Sequence, residues 1–243
     1  MTKLSERLRI PRGVTAVVGS GGKTTLMERL ACELSENARV LRMTTTHMRV
    51  PNGTVIFAEK VDACLLLKVK QAFEQQLLVT VGREAENGKI TKPLGSLDAL
   101  FALADYVLIE ADGSRGLPLK APAEHEPVLS GKEKLVLAVM GATGIGRPIC
   151  EAAHRARLYA ALLHKQENEL VTAEDAARVL MDANGQRKGV ISRFAIVLNQ
   201  CDTKQELQNA QSCAAQTGEE CALVALKTNA DFCEMWAKGQ LLR

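Results

Sequence analysis

Short apolar runs recur along the chain, each broken by a polar or glycine-rich step. Val14–Val18 is continuous and rich in β-branched residues, the pattern of a strand buried on both faces. Val40–Met43, Val55–Ala58, Leu77–Val81, Tyr106–Ala111, Leu135–Met140, Ala195–Leu198 and Ala222–Leu226 read as further strands. Between them the apolar period lengthens. Leu26, Leu30, Ala31 and Leu34 form one helical stripe over Thr24 to Leu34. Leu4 to Leu8, Val61 to Phe73, Leu97–Leu103, Ala152–His164, Ala173–Met181, Lys204–Thr217 and a last stretch near Asp231–Lys238 also read as helices. Ser96 is placed to cap one of them, and Thr172 with Asp175 forms a capping-box pattern. Glu84 to Lys92 is a polar excursion around Asn87-Gly88, and Pro51-Asn52-Gly53 is a turn.

Strands alternating with helices predict an α/β fold with a mostly parallel sheet and right-handed crossovers. Residues 150–190 carry helical patterns and no strand, which predicts a small helical insertion within one domain spanning 1–243. Composition fits this: 47% hydrophobic residues supply a core, and 3% aromatics make it aliphatic. A net charge of +3, without a platform of interleaved basic and aromatic residues, argues against a nucleic-acid partner. Seven scattered cysteines, an odd count with no C-x-x-C, fit buried or partly buried thiols in a reducing cytosol better than a disulfide framework. The first twelve residues are polar, and no apolar run approaches the ~20 residues of a membrane span. The expectation is a cytoplasmic protein with no membrane partner.

The strand at 14–18 enters Gly19-Ser20-Gly21-Gly22-Lys23-Thr24-Thr25 and then a helix. Strand, glycine-rich loop, Lys-Thr and helix, in that order, make a phosphate loop. Loop N–H groups and the helix N-terminus would cradle phosphates, Lys23 would reach the outer ones, and the Thr24 hydroxyl would hold Mg²⁺. The usual G-x-x-x-x-G-K-[ST] spacing needs glycine at 17, where Val17 stands. The shorter Gly19-x-x-Gly22-Lys23-Thr24 resembles the loop of Mur-type ligases. These features make the expected fold a three-layer, P-loop-type sheet with helices on both faces.

Three more polar clusters follow strand ends, where ligands of such sheets sit. Glu110 and Asp112, two residues apart, are candidates to hold Mg²⁺ with Thr24 or to orient a water, and Arg115 and Lys120 to neutralise a phosphate or an anionic acceptor. Thr44-Thr45-Thr46-His47 follows the second strand: Thr45 is a candidate metal ligand, Thr46 and His47 candidate switch or substrate residues. Asn199-Gln200-Cys201-Asp202 looks like the N-K-x-D base reader of GTPases, with Gln200 in place of lysine. Asp202 would accept from the guanine ring N1–H and amine, and Asn199 would contact the purine edge and the loop. Gly141-Ala142-Thr143-Gly144-Ile145-Gly146 imitates a dinucleotide fingerprint, but Pro148 stands where the helix should open and no acidic residue ends a strand ~20 residues on. A tight loop near the same crevice is the better reading, with His154 and Arg155 as candidates to face it.

Gly-Ser-Gly-Gly-Lys-Thr-Thr at 19–25, Thr-Thr-Thr-His at 44–47, Asn-Gln-x-Asp at 199–202, and above all the segment 110–127, Glu-Ala-Asp-Gly-Ser-Arg-Gly-Leu-Pro-Leu-Lys-Ala-Pro with Glu-His-Glu-Pro, resemble the YqeC-type accessory proteins of selenium-dependent hydroxylases. The resemblance implies a nucleotide crevice lined by these segments, and an association with selenium-requiring molybdenum hydroxylases or their cofactor. It names no reaction. The proline-interrupted 118–127 segment holds Glu124-His125-Glu126, where His125 would serve as a proton-transfer group, a ligand or part of a rigid loop. Three functions follow: an Mg²⁺-dependent hydrolase of GTP or ATP, a nucleotide-dependent transferase or ligase, and a non-catalytic nucleotide-binding module.

Overall fold

The run Val14–Val18 becomes the middle of a sheet because it is apolar on both sides and helices cover both. The computed structural model describes residues 2–242. A short helix α1 (Leu4–Arg7) leads to β1 (Gly13–Gly19) and α2 (Lys23–Leu34). Then come β2 (Val40–Thr44), β3 (Met48–Arg49), β4 (Val55–Phe57), α3 (Ala63–Gln75), β5 (Leu78–Ala85), β6 (Lys89–Thr91), α4 (Asp98–Phe101), β7 (Tyr106–Glu110) and β8 (Leu119–Lys120). The second half supplies β9 (Glu133–Gly141), α5 (Ile149–Ala152), β10 (Ala153–His154), α6 (Ala156–Leu163), α7 (Ala173–Met181), β11 (Arg193–Asn199), α8 (Lys204–Thr217), β12 (Glu220–Ala225), β13 (Asn229–Ala237) and β14 (Gln240–Leu241).

Twelve strands form one sheet in the order β14-β13-β12-β11-β9-β1-β7-β2-β5-β6-β3, with β4 also on β5. From β12 to β5 every pairing is parallel, and antiparallel hairpins close both ends. Side chains alternate across it. Ala16 and Val18 of β1 pack toward α6, α7 and α8, while Val17 packs toward α1 and α2. On the first of these faces α3 and α4 cover β2, β5 and β7. The chain leaves β1 toward β2 on one side and later adds β9 on the other, so β1 lies at a topological switch point, where a crevice opens at the strand ends. No helix among the described residues is long and apolar enough to cross a membrane.

The capping box at Thr172 and Asp175 is formed, and α8 has a second at Thr203 and Glu206. Three readings need correction. The stretch at 231–238 is a strand, β13, not a helix. Phe232 and Trp236 pack on one face and Cys233 and Met235 on the other, so apolar residues on both sides of an edge region imitate a helical stripe. Lys238 and Gly239 both take positive φ, and this two-residue turn joins β13 to β14. The polar excursion 84–92 is the β5–β6 hairpin, turned at Asn87-Gly88. Within 150–190 the chain is mainly helical, but Ala153 and His154 pair with Leu119 and Lys120 in a small parallel ladder.

Candidate functional site

Where the usual spacing needs glycine, Val17 is still in β1, paired with Glu110 of β7 and Leu137 of β9. The loop therefore begins two residues later. Its first three N–H groups serve the protein: Gly19 donates to Asp112 Oδ2 at 2.9 Å, Ser20 to Val139 O at 2.9 Å, and Gly21 to Leu117 O at 3.2 Å. Gly21 is pressed against the next loop, since a Cβ there would lie 2.2 Å from the nitrogen of Gly141. Gly22 has φ +128 and precedes the helix. The first bond of α2 runs from Leu26 N to Gly22 O, so the N–H groups of Gly22, Lys23, Thr24 and Thr25 have no partner among the described residues. Four such donors at a helix N-terminus, beside a cleft, are suited to receive an anion.

Lys23 lies inside this cradle, 3% exposed. Its ammonium donates to Gly19 O at 2.6 Å and lies 3.1 Å from Asp112 Oδ1 and 3.9 Å from Glu110 Oε1. The two carboxylates have different roles. Glu110 reaches the cleft. Asp112 is 1% exposed behind the loop, where Oδ2 accepts from Gly19 N and is ion-paired with Lys120 at 2.7 Å. Its Oδ1 has the ion pair with Lys23 but no hydrogen-bond geometry. The expected pair of metal ligands is thus one cleft-facing carboxylate and one anchor, because β7 ends at Glu110 and the chain turns inward after it.

Lys120 is not the free cation that the sequence suggested. Its ammonium donates to Gly113 O at 2.6 Å and is ion-paired with Asp112 Oδ2 at 2.7 Å and Glu126 Oε2 at 2.8 Å. Glu126 in turn takes both guanidinium nitrogens of Arg155, at 2.7 and 3.1 Å. A buried chain of alternating charge results: Glu110, Lys23, Asp112, Lys120, Glu126, Arg155. Burial opposes ionisation of Glu126, but the hydrogen bonds from Lys120 and Arg155 outweigh it and hold the carboxyl at about 2. Glu110 has no such support. Burial pushes it up to about 7; Lys23 opposes this, Asp112 adds to it and Lys120 opposes it.

That raised value fixes a sign. The native protein holds the Glu110 proton more tightly than the unfolded chain, so the group's contribution to stability is fully present below about pH 4.5 and is lost as pH rises through about 7. Urea midpoints at pH 5 and pH 8 are expected to show Glu110→Gln gaining on the parent protein at the higher pH. Parallel pH dependences in the two proteins would contradict this placement.

The other expected residues divide likewise. Thr24, Thr25, Thr46, His47, Arg115 and His125 line the cleft, as do His154 and Arg155. Thr45 does not: its hydroxyl donates to Val128 O at 2.7 Å, so it is turned away from the proposed metal position. Thr44 is the working hydroxyl of that turn, donating to Glu110 O at 2.8 Å and accepting from Thr46 N at 3.0 Å. The Ser20 hydroxyl is buried without a partner beside Leu119 and Tyr159, so Ser20 and Gly19 shape the loop without facing a ligand. Asn199 lines the cleft, donates to Gly21 O at 2.8 Å and accepts from Leu226 N at 3.2 Å; its amide straps the loop to the end of β12 and keeps one N–H beyond these bonds. Asp202 stays exposed on the cleft wall, accepting from the Thr228 hydroxyl. Gln200 has φ +64 and accepts from Thr143. The Gly141–Gly146 loop is thereby tied to the 199–202 segment and backs onto the glycine-rich loop, as a tight loop beside the crevice.

Arg49, Lys89 and Lys227 also line the cleft. Arg49 and Lys89 meet only through the β3–β6 register, which no local pattern in the sequence discloses. Among the described residues no group of three or more His, Cys, Asp or Glu side chains is placed to hold a metal alone.

Comparison with known proteins reaches the level of family. The model of the family described as YqeC protein matches residues 15–157, which contain the loop, the Thr turn, β7 and the 110–127 segment. The chain is also 35% identical over 188 residues to a protein of Escherichia coli K12 described as uncharacterized protein YqeC, covering 73% of this chain and 71% of that one.

Proposed function

The chain belongs to the YqeC family, and we propose that it binds GTP or ATP with Mg²⁺ in this cleft and hydrolyses it. One observation carries the reading: four N–H groups at the start of α2, unpartnered among the described residues, converge with Lys23 and the Glu110 carboxylate on one cleft. The donors suit Mg²⁺, which binds through one or two carboxylates and keeps substrate phosphates as further ligands. Thr24 and Glu110 would hold it, with Asp112 positioning Lys23 and the loop. The metal supplies charge neutralisation on the phosphates. Lys23, released from Gly19 O, and the helix N-terminus stabilise negative charge on the phosphoryl oxygens. Asp202, an acceptor on the cleft wall, matches the paired donors of guanine and favours GTP over ATP. The resemblance of the 110–127 segment supports a role for this hydrolysis in maturing selenium-dependent molybdenum hydroxylases or their cofactor, with the hydroxylase as partner.

Phosphate release from GTP and from ATP, with and without Mg²⁺, tests the reading. Turnover is expected to need Mg²⁺ and to fall about 100-fold in Glu110→Gln. Turnover indifferent to Mg²⁺, or unchanged in that variant, would overturn it. Tight binding with no turnover would favour the non-catalytic module.

A further inference from the structure

We propose that the cleft contains a second anion subsite beyond the phosphate loop, formed by Arg115, His125, His154 and Arg155, which takes the phosphate group of a second small-molecule substrate. That it acts beside a nucleotide rests on the reading above; the subsite itself rests on separate observations. The cleft has a volume of about 1000 Å³, at the upper end of what one small ligand occupies. Three of the four histidines, His47, His125 and His154, open onto it. Arg115 has no carboxylate partner among the described residues, and neither have Arg49 and Lys89, which face each other directly across β3 and β6. Like charges so placed repel unless an anion lies between or near them.

The backbone agrees. Arg115 has φ +50 and Arg155 φ +62, conformations that non-glycine residues seldom adopt and that concentrate at ligand sites. Arg155 is held in place by the fork of bonds to Glu126. Glu126 borders the cleft, but Lys120 and Arg155 already occupy its oxygens, so it does not neutralise the remaining cations. His154 records the field: burial, then Arg155, Lys120 and Arg115, hold its imidazole below the usual value, with Glu126 opposing. The chain Lys23–Asp112–Lys120–Glu126–Arg155 connects the two subsites through protein alone. The ligand class that fits is a phosphate monoester or diphosphate of a small molecule.

Phenyl phosphate serves as the probe, titrated by calorimetry into the free protein and into protein saturated with a non-hydrolysable GTP analogue and Mg²⁺. Arg115 and His125 are exposed and make no hydrogen bond or ion pair among the described residues, so Arg115→Ala and His125→Ala leave the fold intact. Phenyl phosphate is expected to bind in both states, and at least tenfold more weakly in either variant. Complete exclusion by the bound analogue, or an affinity in both variants equal to that of the parent protein, would overturn the subsite. Should the analogue fail to bind at all, the nucleotide reading falls. The subsite then stands if the probe still binds the free protein and Lys23→Ala, and weakens in Arg115→Ala; it falls if only Lys23→Ala weakens binding.

Discussion

Asp112→Ala is expected to destabilise the protein by about 3–5 kcal/mol, the usual cost of removing one member of a buried ion pair. The carboxylate is 1% exposed and lies between two lysines that are 3% and 2% exposed. Removing it leaves both facing a void and takes the acceptor from Gly19 N. Lys23 has an escape, because the cleft opens beside it. Lys120 has none. Burial already holds its ammonium below the ordinary range, with Asp112 the main opposing influence, so in the variant it would lose its proton more readily. The deficit should therefore shrink as pH is raised from 7 to 9. Urea unfolding of Asp112→Ala beside Asp202→Ala, whose carboxylate is exposed, measures this. A surface change of that kind costs within about 0.5 kcal/mol. Equal midpoints for the two variants would contradict the buried chain.

Lys23→Ala is expected to abolish nucleotide-induced stabilisation. A ligand at about 100 times its dissociation constant adds about 2.7 kcal/mol to the folded state. For a chain of this size that raises the melting temperature by roughly 5–10 °C. The variant's own melting point also reports effects unconnected with nucleotide, since Lys23 balances Asp112 and Glu110. The informative quantity is thus the shift on adding nucleotide and Mg²⁺, which should fall below about 1 °C. A shift equal to that of the parent protein would mean that Lys23 touches no phosphate.

Much of this site was legible because its parts are local. Strand, loop and helix at 14–34 are contiguous, and the helix N-terminus that leaves four donors free follows from Gly22-Lys23-Thr24-Thr25 alone. Glu110 and the Thr turn lie at strand ends, where a parallel sheet gathers them. What was not legible depends on register and on which way a chain turns after its strand. Glu110 and Asp112 are two apart, but β7 stops between them, so one faces the cleft and the other the interior. Lys120 reads as a surface cation until β8 carries it beneath Asp112 and Glu126. Thr44 and Thr45 are chemically alike. Only the pairing of Thr44 with Glu110 decides which hydroxyl braces the site. Strand β13, next to the sheet's edge, was mistaken because it is apolar on both faces, which hides the period of two.

The central claim is that the N-terminus of α2 and Lys23 form a nucleotide phosphate site. Calorimetric titration of the protein with non-hydrolysable GTP and ATP analogues in Mg²⁺ tests it most directly. The account predicts one binding site with a micromolar dissociation constant, GTP analogue tighter than ATP analogue, and loss of binding in Lys23→Ala. No heat of binding for either analogue at millimolar concentration, or equal affinity in Lys23→Ala, would contradict it.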